Sequence, residues 1–147
     1  MQLKIFALEI IAVLILRAKT KQDYLSALNC HVFPKLGGHE LDSLTKSDIQ
    51  EVVRELDPPI AAKTLAVLKT IFREAIDYGY LEISPTLGVK TKPNRSVPRK
   101  FLTWEEVREA DFGKYECQIR FLAAHVLRWS EALALTPSDF KDGRILV

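Results

Sequence analysis

The sequence predicts a mainly α-helical protein: four helices over residues 1–87, a basic linker over residues 88–100, and the first helices and a strand stub of an incomplete α+β unit over residues 101–147. Three observations predict it. Apolar residues recur at helical spacing, as in Ile49, Val52, Val53 and Leu56 at i, i+3, i+4 and i+7. Prolines and glycines punctuate the ends of these blocks. Positive charge is concentrated in one place: residues 88–100 carry Lys90, Lys92, Arg95, Arg99 and Lys100 and no acid, while the segments on either side are slightly acidic.

Bulk composition excludes little. A 48% apolar and 27% charged chain of 147 residues is globular rather than disordered. A net charge of +2 does not by itself argue for nucleic acid. Cys30 and Cys117 match no metal-ligand spacing and read as reduced thiols, so neither a metal nor a cofactor is expected.

Leu3–Leu16 is apolar nearly all round, as in a helix buried on several sides. Glu9 interrupts the run and no small-residue cleavage site follows, so it reads as a buried first helix rather than an export signal. It is shorter than the roughly 20 residues that span a bilayer. Thr20, with Asp23 three residues on, is the expected cap of a second helix carrying Tyr24, Leu25 and Leu28, which Pro34 and Gly37-Gly38 end. Thr45 and Asp48 open a third helix, and Asp57-Pro58-Pro59 breaks it.

A long fourth helix is predicted from about Ala61 to Tyr78, with an apolar stripe of Leu65, Leu68, Phe72, Ala75 and Ile76 and a stop at Gly79. Ser84-Pro85 and the basic segment then read as extended chain. Thr103 and Glu106 form a capping-box pattern that opens the second unit. A helix is predicted from about Cys117 to Leu135, burying Ile119, Leu122, Ala123, Val126 and Leu127, with Pro137 as its stop. Asp142-Gly143 is a hairpin-type turn, and residues 144–147 read as a strand without a partner.

Five stretches in this order resemble the tyrosine recombinases of the phage integrase family. Thr20…Tyr24…Leu28 with His31-Val-Phe-Pro-Lys-Leu-Gly37, then Leu44-Thr-Lys-Ser-Asp-Ile49, then Ala62-Lys-Thr-Leu65 and Ile71 through Pro85, are similar to the family's SAM-like core-binding domain. Phe101-Leu-Thr-Trp-Glu-Glu-Val107 resembles the start of the catalytic domain. Leu127-Arg-Trp-Ser-Glu-Ala-Leu-Ala-Leu-Thr-Pro-Ser-Asp139 resembles the motif of the first catalytic arginine.

The resemblance implies a chain that binds double-stranded DNA at attachment-type sites, alone or with other recombinase protomers, in the cytoplasm of a bacterium and encoded by it or by a phage. It implies that Arg128 is one clamp on the phosphoryl oxygens, suited to this by its planar fork of donors. Glu131 either orients Arg128 or forms an ordinary surface pair. Where the family has Thr-Gly before Leu-Arg, this chain has His125 and Val126. The rest of the family's catalytic set, including the tyrosine nucleophile, follows the first arginine. Tyr24, Tyr78, Tyr80 and Tyr115 all precede Arg128, so the chain is expected to be catalytically incomplete. His125-Val-Leu-Arg128 spells the family's later His-x-x-Arg motif, but the residues after it fit the first-arginine motif instead.

The expected DNA contacts are the linker residues Lys90, Lys92, Arg95, Arg99 and Lys100, together with Lys63 and Thr64 at a helix start and Lys69 and Arg73 along the same helix. Two rival readings stand beside this one. One is a short integrase-like protein or prophage remnant that occupies DNA without cutting it. The other is an all-α interaction module with no DNA role, favoured by the acidic balance outside the linker.

Overall fold

The computed structural model describes residues 1–93 and 100–145. The chain divides into two compact units, Met1–Ser96 and Val97–Val147.

The first unit has five α-helices among its described residues, one of them a single turn. Helix α1 spans Leu3–Val13 and buries Leu3, Phe6, Ala7, Ile10 and Ile11. It is buried on one face and not all round: Ile5, Leu8 and Val13 are exposed. No side chain caps its start. The N–H groups of Leu3 and Lys4 instead donate to the carbonyls of His39 (2.9 Å) and Gly37 (3.1 Å), main-chain partners that sequence cannot reveal. At its other end, the Lys21 ammonium donates to the Ala12 carbonyl at 2.7 Å.

Helix α2 spans Ala18–Ala27 and has Arg17, not Thr20, at its N-cap position. Thr20 lies inside the first turn, and Asp23 pairs with Lys19 at 3.3 Å rather than closing a capping box. Pro34 does not end this run. A π-helical turn over Leu28–Val32 leads directly into a short helix α3, Phe33–Leu36, with Pro34 in its first turn. The wider turn accommodates a residue that has no N–H and would clash with the carbonyl four residues back in an α-helix.

Helix α4, Lys46–Glu55, starts on the predicted cap. The Asp48 carboxylate accepts from the Thr45 N–H and hydroxyl, both at 2.8 Å, and the Asp48 N–H donates back to the hydroxyl at 3.4 Å. These bonds, the Thr45 N–H first, hold the Asp48 carboxyl below its ordinary range. Ile49, Val52 and Val53 are buried as the periodicity required.

Helix α5 spans Pro58–Asp77 and touches α1, α2, the π turn and α4. It begins three residues before Ala61, because the two prolines serve as first-turn residues whose missing N–H groups cost nothing there. Its buried face is wider than the predicted stripe and adds Ala61, Thr64, Val67 and Ile71. It stops as expected at Gly79, whose φ of +77° only glycine adopts cheaply. The Tyr80 N–H reaches the Ala75 carbonyl (2.8 Å) and the Gly79 N–H reaches that of Ile76 (2.9 Å), a Schellman ending.

Beyond α5 the chain stays on the first unit further than predicted. Pro85, Thr86 and Val89 are buried. The Gln50 side chain grips the Lys90 backbone from α4, accepting its N–H at 3.0 Å and donating to its carbonyl at 2.8 Å. Residues 88–90, expected as free linker, are therefore packed chain.

The second unit opens with α6, Trp104–Glu109, on the predicted Thr103–Glu106 capping box. The helix expected from Cys117 to Leu135 is two helices, α7 (Glu116–His125) and α8 (Trp129–Ala134). Val126 separates them in the left-handed conformation, with φ of +56° and ψ of +25°. It is 89% exposed instead of buried. Ala123 is also exposed, and Ile119, Leu122 and Leu127 are half-buried. A hairpin follows: β1 (Phe140–Lys141) pairs antiparallel with β2 (Arg144–Ile145) through a turn at Asp142-Gly143. The strand stub thus has a partner, which the two-residue length of β1 hid from sequence patterning.

Candidate nucleic-acid interface

The predicted contact residues on α5 do not form one site. Lys63 and Thr64 fall in the second turn of the helix, past the four unpaired N–H groups that suit an anion at a helix start. Thr64 is 0% exposed, and its Oγ1 has no hydrogen-bond partner among the described residues. It lines the same cleft as Lys63. Lys63 is exposed, but its ammonium stands 3.9 Å from the Asp23 carboxylate of α2. With Asp23, Ser26, His31 and Pro59 it lines a cleft of about 320 Å³.

Lys69 and Arg73, one turn apart, form a second and separate group. They line a pocket of about 330 Å³ with Ile76 and the turn from Ser84 to Gly88. That turn is held by Leu87 N–H to the Ser84 carbonyl (3.1 Å) and Val89 N–H to the Thr86 carbonyl (3.2 Å). The hydroxyls of Ser84 and Thr86 are 2.8 Å apart in the same turn. Arg73 also pairs with its neighbour Glu74 at 3.3 Å. Lys46, at the start of α4, approaches the same turn from another helix and lines a separate cleft with Gln50, Glu51 and Arg54. Its Nζ lies over Gly88, 2.9 Å from where a β-carbon would stand. Sequence reading passed over Lys46 because its proximity to Gly88 is a tertiary contact.

The basic segment divides in the same way. Lys90 is exposed with its backbone fastened to Gln50, and Lys92 is exposed. Arg95 and Arg99 lie outside the described residues. Lys100 is paired with Glu106 at 2.8 Å in the second unit. That ammonium, and then the Thr103 N–H, hold the Glu106 carboxyl below its usual range.

Arg128 stands at the start of α8 with its side chain 85% exposed. Glu131 accepts from its backbone N–H and from its guanidinium, both at 2.8 Å. The two bonds, the backbone one first, lower the Glu131 pKa. One carboxylate thus caps the helix and pairs with an exposed arginine.

Among the described residues no group of His, Cys, Asp and Glu could hold a metal ion, and no helix is long and apolar enough to cross a membrane. Cys30 and Cys117 are exposed free thiols.

The first unit is a small all-helical module organised around α5, with Lys69 and Arg73 beside the Ser84–Gly88 turn. Residues 14–56 match the family model described as phage integrase, N-terminal SAM-like domain, a match that supports the phage integrase (tyrosine recombinase) family. It runs from the end of α1 through α4. No curated protein and no solved structure matches the chain.

Proposed function

We propose that this chain is a DNA-binding protein of site-specific recombination, in which the helical unit is the core-binding domain and residues 101–147 correspond to the beginning of the catalytic domain. The match of residues 14–56 to the integrase SAM-like domain carries this reading. The exposed cations Lys69, Arg73, Lys90 and Lys92 support it, because Lys and Arg on one unit supply the phosphate contacts that dominate affinity for duplex DNA.

Strand cleavage by these 147 residues alone is not part of the proposal. Arg128 supplies one guanidinium, and no tyrosine follows it in the sequence. A single electrostatic clamp without a nucleophile leaves most of the required rate enhancement unsupplied. The partner is double-stranded DNA of attachment-site type, bound alone or together with other recombinase protomers, in the cytoplasm.

The test is binding to random and attachment-site duplexes across a salt series, with a variant carrying glutamine at Lys90, Lys92, Arg95, Arg99 and Lys100. Each lost phosphate contact lowers the slope of log K against log salt by about 0.9. The expected result is salt-dependent binding whose slope falls in the variant. No binding by the parent chain at low salt would overturn the reading and favour an all-α interaction module.

A further inference from the structure

We propose that the outer face of α1 pairs with the same face of a second copy of this chain, the two helices lying parallel about a two-fold axis. The pairing goes beyond the DNA-binding reading and holds whether or not the chain binds DNA.

Helix α1 carries two apolar faces. One meets the core through Leu3, Phe6, Ala7, Ile10 and Ile11. The other holds Ile5, Leu8 and Ala12, all exposed, the isoleucine at 48% and the leucine at 41%. Ile15, just past the helix, continues the spacing and is fully exposed. Steps of three, four and three residues from Ile5 to Ile15 follow the 3.5-residue repeat of a coiled-coil seam. Scattered apolar residues on a surface need no explanation, but a seam at this spacing on a helix already buried on its other side does. Ile5 takes the first core position of the repeat and Leu8 the second, and a β-branched residue followed by leucine in those places favours two parallel strands.

Charge selects the occupant and its direction. Lys4, just before Ile5, and Glu9, just after Leu8, flank the seam on opposite sides. Among the described residues neither makes an ion pair. The Lys4 ammonium stands 5.9 Å from the centre of the Phe33 ring, a contact that leaves its charge uncompensated. In a parallel pair each Lys4 comes beside the partner's Glu9, twice by symmetry. In an antiparallel pair each flank would meet its own counterpart. The Lys4 flank otherwise holds Ile11 and the Glu9 flank Gln2, so no opposite charge would stand there.

The eleven residues of α1 make a seam about 16 Å long. That is well short of the roughly 800 Å² per partner of a standard interface, so the dimer is weak, with a dissociation constant on the order of 100 µM.

The experiment is sedimentation equilibrium of the full chain, over concentrations spanning about a hundredfold around that value. It compares the parent with K4E, E9K, an equimolar mixture of the two, and L8E. Circular dichroism first establishes that all are folded, and K4E sets an acid in the first turn, where the helix dipole favours it. The parent should associate and L8E should stay monomeric. K4E alone and E9K alone should associate about tenfold more weakly, since each sets like charges on facing flanks. Their mixture should recover the dimer, because it restores opposite charges on both flanks. A parent that stays monomeric overturns the pairing. Association that survives L8E lies on another face and overturns it as well. Association that L8E abolishes but the mixture does not recover overturns the parallel arrangement.

Discussion

Single residues decide several local outcomes here, and Val126 is the clearest. The turn between α7 and α8 needs a left-handed residue, and a β-branched one occupies it with φ of +56°. That conformation costs an L-residue about 1–2 kcal/mol, more readily borne by glycine. The position is the one where the resembling family carries glycine before its first arginine, so the turn persists in spite of the residue. V126G should therefore stabilise the second unit by about 1 kcal/mol, the strain relieved less the added chain entropy of glycine. Both tryptophans, Trp104 and Trp129, lie in this unit, so their fluorescence in a urea titration reports it directly. An unchanged or lower midpoint would mean that the turn carries no strain. Thr45 and Thr103 show the opposite case, since each cap was legible from a hydroxyl residue with an acid three positions on.

At the scale of elements, the ends of helices were less legible than their faces. The buried face of α4 follows from spacing alone, and the start of α5 was misplaced because prolines were read as a break when they also begin a helix. The segment after α5 was read as linker from its charge and prolines. A two-point hydrogen bond from Gln50, forty residues away in sequence, holds it instead. Q50A should free this segment. Two exposed hydrogen bonds contribute roughly 1 kcal/mol net, so trypsin cleavage after Lys90 should quicken about fivefold. Cleavage at the parental rate would show that burial of Val89 alone holds the segment.

For the whole molecule, the two units differ in how much core they have. The first buries a continuous cluster that includes Phe72, Leu68, Ile71 and Leu3. In the second, Val107 is the buried hydrophobic residue among those described. Phe121, Leu122, Trp129, Leu133 and Phe140 line an open apolar groove of about 300 Å³. Local stability follows buried apolar contact, so amides in α5 should exchange most slowly, with those of α7 and α8 faster by orders of magnitude. Uniform protection across both units would contradict this.

What the sequence determined by itself is local or additive: the helical class, the apolar faces, both capping boxes, the glycine stop at residue 79 and the hairpin turn at Asp142-Gly143. Each depends on residues within about one or two helical turns of each other, where spacing stands in for distance. The tertiary structure alone decided which cations share a site. It buried Thr64, set Lys63 beside Asp23, and put Lys69 and Arg73 in one pocket with the Ser84–Gly88 turn. Charge along a chain gives no distances between helices, and an anion responds to distance.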